Sequence, residues 1–116
     1  MSKANGSCHC GKVKFEVDFD LKEGLSCNCS ICQRKGSILT FVSSEQFKLI
    51  SEESSLTDYQ FDKKRIHHTF CSTCGVSPFS SSKKPDGSTG FAINIRCIEG
   101  IDLTKIPVKF FDGKNL

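Results

Sequence analysis

Long apolar runs are missing from this 116-residue chain, and no stretch approaches the roughly 18 consecutive apolar residues that a membrane-spanning helix needs. The opening Met1-Ser2-Lys3-Ala4-Asn5 is polar and has no apolar h-region, so the chain reads as cytoplasmic and reduced. Helical periodicity is also missing: no window of roughly 11–18 residues places apolar side chains on one helical face, which argues against a bundle and for a mostly β fold. Proline is scarce, at three residues, and there is no low-complexity tract and no interdomain linker. Residues 1–116 are therefore expected to form one domain.

Charge of one sign is also in short supply. Sixteen Lys and Arg against thirteen Asp and Glu give a formal +3, a figure that counts every thiol as neutral. Thiols that ligate a metal are deprotonated. Four thiolates on one divalent ion leave two negative charges and three leave one, which together cancel the +3 and remove the electrostatic case for a nucleic-acid partner. The ten Phe residues could stack bases, but most fall on alternating strand positions and read as core.

Cysteine is abundant instead, at eight residues. In a reducing compartment, clustered thiols point to metal rather than to disulfides. Cys8 and Cys10 flank one residue between Gly6 and Gly11, both expected to curl the backbone through positive φ. Cys71-Ser72-Thr73-Cys74-Gly75 is a two-thiol turn resembling half a zinc ribbon, with backbone N–H groups able to point at the sulfurs. Together Cys8, Cys10, Cys71 and Cys74 complete a tetrahedron, a closed and hence structural Zn²⁺ site that ties together segments about 60 residues apart. A thioredoxin-like reading of Cys71 and Cys74 needs a βαβ setting that this sequence does not offer.

Cys27, Cys29 and Cys32 form a second group within six residues. If Cys97 joins them, the second zinc is closed and the chain is a non-catalytic, zinc-stabilised binding or scaffold module. If Cys97 is a small buried hydrophobe, the zinc keeps an open position for catalysis. Cys97 reads as part of a strand with Phe91, Ile93 and Ile95 on its face, for which burial without ligation is the simpler account.

The remaining elements read as β. Val13, Phe15, Val17 and Phe19 alternate with charges, and apolar runs recur at 38–42, 47–50, 56–61, 66–70, 91–98 and 108–111. Asp20–Gly24 and Asp62–Lys64 are expected turns, Pro78–Gly90 a solvent loop, and Gln33–Lys35 a helical turn closed by Gly36. His67 and His68 face opposite sides of one strand, so one at most points inward, and ordinary packing or exposure is expected of both. His9 reads as a surface residue or one that supports the neighbouring ligands, and Lys63-Lys64-Arg65 as solvated charge.

Gly6-x-Cys8-His9-Cys10-Gly11-x-Val13-x-Phe15, Cys27-x-Cys29-Ser30-x-Cys32-x-Arg34-x-Gly36, Phe70-Cys71-x-x-Cys74-Gly75 and Asn94-x-Arg96-Cys97 resemble the glutathione-dependent formaldehyde-activating enzyme family, which also includes centromere protein V. The chain departs from that pattern in being compact and in reading Val76-Ser77-Pro78 where a Thr commonly follows the Gly. The resemblance implies a small, zinc-stabilised antiparallel β fold with two Zn²⁺. Cys8, Cys10, Cys71 and Cys74 would hold the structural ion, and Cys27, Cys29 and Cys32 the catalytic one. It also implies condensation of formaldehyde with glutathione to an S-hydroxymethyl adduct, a carbon–sulfur lyase reaction in reverse. A thiol in the open position would be deprotonated and attack the aldehyde. Arg34 and Arg96, with Lys35, are the candidate clamps for the thiol's carboxylates, and no general acid is identifiable.

Overall fold

The computed structural model describes residues 2–61 and 63–115, and its centre is the strand that alternation marks most clearly. Val13 and then, on strand β2 (Lys14–Phe19), Phe15, Val17 and Phe19 are all buried. β1 (Ser2–Ser7) pairs antiparallel along the whole of β2, and β5 (Phe47–Leu49) along its other edge. This three-stranded sheet packs through Phe15 and Phe47 onto Phe79 and Phe91 of a larger sheet, with ring centroids 4.1–6.0 Å apart. Offset and edge-on rings at this range add to the burial itself.

The larger sheet has seven strands in the order β10 (Val108–Phe111), β3 (Gly24–Cys27), β4 (Leu39–Ser43), β9 (Thr89–Asn94), β8 (Phe79–Lys83), β7 (Ile66–Cys71) and β6 (Leu56–Tyr59). All pairs are antiparallel except β10 with β3, which run parallel. The fold is thus mostly β and a single domain, with one parallel pair in an otherwise antiparallel arrangement. Among the described residues no helix is long and apolar enough to cross a membrane.

Several expectations are corrected. The solvent loop expected at Pro78–Gly90 contains β8, an interior strand, and only the stretch around Gly87 turns. The strand expected at 91–98 stops at Asn94, whose side-chain oxygen accepts the Arg96 N–H at 3.2 Å and starts a 3₁₀ turn over Ile95–Cys97. Gly6 does not have positive φ. A Cβ there would sit inside the buried Phe15 ring, so glycine is required for close approach rather than for curl. Of the expected 62–64 turn, Asp62 lies outside the described residues.

The two faces of β8 and β9 differ sharply. Phe79, Phe91 and Ile93 point into the core. Ser80, Ser82, Gly90 and Ala92 share the opposite face, since side chains alternate along a strand. The register sets Phe41 opposite Ala92, Ala92 opposite Ser80, Ser43 opposite Gly90, and Ser82 between Gly90 and Ile66. Small residues mid-sheet, with Phe41 and Ile66 on either side, make a trough.

Candidate metal centres and the cavity beside them

The first centre is built from two loops. Cys8 and Cys10 occupy the β1–β2 hairpin, where Cys8 N–H donates to the Val13 carbonyl at 3.1 Å and Gly11 takes φ 84°. Cys71 ends β7, and the chain turns back through Gly75 at φ 81°, its N–H donating to the Cys71 carbonyl at 2.9 Å. The four sulfurs lie within 4.8 Å of one another, with Cys8 to Cys10 and Cys10 to Cys71 both 3.6 Å. Sulfurs on one tetrahedral zinc, each bonded at about 2.3 Å, stand about 3.8 Å apart, so the set fits.

Amide donors complete this centre. The N–H groups of Val13, Thr73 and Cys74 approach Cys8 Sγ at 3.3 Å and Cys71 Sγ at 3.4 and 3.5 Å. Backbone N–H groups of Val76 and Cys10 pull the Cys74 thiol down to about 6. Hydrogen bonds to a charged form favour that form, here the thiolate a metal needs.

The second centre sits where β3 runs into the helix α1 (Ser30–Lys35). Cys27 ends β3, Cys29 is the helix N-cap, and Cys32 lies one turn in. Gly36 closes the helix at φ 70°, its N–H donating to the Cys32 carbonyl. The three sulfurs lie within 4.8 Å of one another, and Cys29 N–H points at Cys27 Sγ at 3.4 Å. Burial, reinforced by Cys29 and Cys27, pushes the Cys32 thiol up to about 12. Three sulfurs this close become thiolates together only around a cation, so their chemistry fits a soft divalent ion such as zinc.

Cys97 belongs to neither group. The bridge between Gly6 and Ile98 brings the neighbouring Cys97 to the hairpin that carries Cys8, and burial pushes the Cys97 thiol up to about 11, with Cys8 and Cys74 adding to the effect. A fourth sulfur from Cys97 therefore does not close the second centre. Residues after β10 wall that centre instead. Asn28 Nδ2 donates to Asp112 Oδ1 at 2.9 Å, Lys114 N–H donates to Asn28 Oδ1 at 3.1 Å, and Asn28 N–H donates to the Phe111 carbonyl at 3.3 Å. A Cβ on Gly113 would stand 2.6 Å from Cys27 Sγ, so the backbone there lies against the sulfur.

Cys27, Cys29 and Cys32 open onto the trough, a cavity of about 670 Å³ lined also by Phe41, Phe61, Ile66 and His68. A small recess of about 40 Å³ behind Cys32 is lined by Lys35, His68, Ser77 and Asn94. His68 is the histidine that points inward. It is 9% exposed and stacks on Phe61 at 5.3 Å. Burial lowers its pKa below the ordinary range, Lys35 lowers it further, and Asp58 opposes them. His67 faces outward and pairs with Asp58 at 2.6 Å. Sequence alternation restricted the choice to one of the pair, and the missing signal was which face of β7 met the trough.

Neither expected arginine clamp lines the cavity. Arg34 donates to the Ser30 carbonyl of its own helix at 2.8 Å, and Arg96 is exposed on the 3₁₀ turn after β9. Lys35 lines the recess, donating to Ser77 Oγ at 2.8 Å, and Lys84 lines the trough.

The crystal structure of a Rhodobacter sphaeroides protein, a structural-genomics target, is similar over 90% of this chain and 99% of that one, with a TM-score of 0.76 and 28% identity. A family model described as glutathione-dependent formaldehyde-activating enzyme matches residues 3–106. Two cysteine clusters able to hold zinc, one of four sulfurs and one of three, sit within the matched span, and the chain belongs to the glutathione-dependent formaldehyde-activating enzyme family.

Proposed function

We propose that this chain condenses a thiol with a small aldehyde at Cys27, Cys29 and Cys32, and that Cys8, Cys10, Cys71 and Cys74 hold a second, structural ion. The observation that carries this reading is the three-sulfur group facing a cavity whose wall includes an inward, mostly buried histidine. Family membership supports the same chemistry, with glutathione and formaldehyde as the generic pair.

A zinc ion held by the trio supplies Lewis acidity that makes a thiol nucleophilic at neutral pH. The protein's part is positioning and proton transfer. His68, kept neutral by burial and by Lys35, accepts the thiol proton. The sulfur lone pair forms the new C–S bond while the carbonyl π bond opens onto oxygen. His68 returns the proton to that oxygen, giving RS–CH₂–OH with no atom left over. The segment Phe111–Gly113, pinned by Asn28, keeps water from one side of the sulfurs.

The test is exchange NMR on the two-ion protein with ¹³C-formaldehyde and a thiol, at a pH low enough to suppress the spontaneous reaction. Adduct exchange should exceed the protein-free rate, and His68→Gln should lower it about 10²-fold with metal content unchanged. Exchange no faster than the blank, with both ions bound, sinks the reading and leaves a non-catalytic zinc module.

A further inference from the structure

We infer that the thiol this chain takes is apolar beyond its sulfur, an aryl- or branched-alkyl-thiol rather than a charged peptide thiol. The inference rests on the condensation proposed above and concerns the part of the substrate that does not react.

The trough begins at the sulfurs, so whatever is attached to a thiol reaching them must lie along it. Its floor is small on one face only: Ser80, Ser82, Gly90 and Ala92 are backed by Phe79, Phe91 and Ile93 on the other. Apolar-in, small-out alternation is ordinary for a sheet with one open face, but here the small residues cluster mid-sheet between bulky walls and leave room for a ligand. Its walls are Phe41, Phe61, Ile66 and Phe111, all among the exposed large apolar residues of this chain, with Phe41 65% exposed. Large apolar side chains gathered around one concavity and left in water mark a binding surface.

The charge inventory favours the apolar thiol over the peptide thiol. Apart from the metal-facing cysteines, the ionisable residues among the described lining are His68 and Lys84. The stem of Lys84 lies over Gly90, where an added Cβ would be 2.9 Å from its Cε, leaving the ammonium to reach for solvent. Glutathione brings two carboxylates and an ammonium. Lys84 can answer one carboxylate, Lys35 in the adjoining recess already donates to Ser77 Oγ, and the ammonium meets no acidic residue of the described lining, so the charged ends gain little over water. An aryl group meets only surface of its own kind.

Calorimetry of the two-ion protein under anaerobic conditions tests this with 2-phenylethanethiol, glutathione and the sulfur-free 2-phenylethanol. The aryl thiol should bind about 10- to 100-fold tighter than glutathione, the gain from burying one aromatic side-chain equivalent. Ala92→Phe, which fills the floor, should lower aryl-thiol affinity about 10-fold or more with both ions still bound. Ser82→Leu serves the same purpose if Ala92→Phe does not fold. Equal or tighter binding of glutathione, or an aryl-thiol affinity indifferent to a filled floor, overturns the inference. Equal binding of 2-phenylethanol and the thiol removes the sulfur-site reading instead and leaves the trough's apolar preference intact.

Discussion

The two centres should differ in what they contribute to stability, and the chain separations say by how much. Cys10 and Cys71 are 61 residues apart, whereas Cys27 and Cys32 are five apart. Treating each ion as a cross-link, the loop-closure entropy removed from the unfolded chain is about 4 kcal/mol for the long span and about 2 kcal/mol for the short one. The short cluster is contiguous, so the unfolded chain can also bind an ion there, which reduces its contribution further. With an unfolding entropy of about 2.1 cal/mol/K per residue, 1 kcal/mol shifts the Tm of a chain this size by about 4 °C. Cys10→Ser/Cys74→Ser should therefore lower Tm by about 15–20 °C and Cys27→Ser/Cys29→Ser by about 8 °C or less. Both pairs avoid the buried Cys8 and Cys71, so lost packing does not confuse the comparison. Calorimetric melting with metal content measured on each sample decides it. Equal losses, or a larger loss from the Cys27/Cys29 pair, would refute the division into a structural clip and a working centre.

Further outcomes follow from the same geometry. Cys97→Ser should leave two ions per chain by mass spectrometry, because Cys97 lies beside the complete four-sulfur set; loss of the second ion would put it in the wrong place. Lys35→Met removes the cation that, after burial, holds His68 below its ordinary range. The neutral imidazole is the working form, so the rate rises with pH through the His68 pKa. That limb should lie below pH 6.5 in the native chain and move up in the variant, and a pH–rate profile that stays put or moves down contradicts the assigned role.

What the sequence made legible was whatever a local rule controls. The Val13 to Phe19 alternation named the core strand, Gly11 and Gly36 were rightly read as a left-handed curl and a helix closure, and cysteine spacing named both centres. What it hid were places where function or long-range contact overrides local preference. The Ser-rich stretch of β8 reads as loop because serine is chosen there for the trough rather than for strand propensity. β1 carries no apolar pattern and is a strand because β2 offers it an edge. Most of the Phe residues were read as core, as Phe15, Phe19, Phe47, Phe79 and Phe91 are, and alternation did not mark Phe41, Phe61, Phe110 and Phe111 as the ones that stand exposed. Cys97 left its expected strand because the Asn94 side chain caps a turn, an interaction that alternation cannot register.

The parallel pairing of β10 with β3 makes the trio depend on a segment far along the chain. Residues 27–32 emerge early in synthesis and can capture an ion almost at once, but residues 108–113 emerge some eighty positions later. Until then the nascent chain would carry a reactive, metal-loaded loop without its wall. Strain applied to residues 111–115 would reach the backbone that leans against Cys27, so a change there perturbs the sulfur trio from outside its own loop.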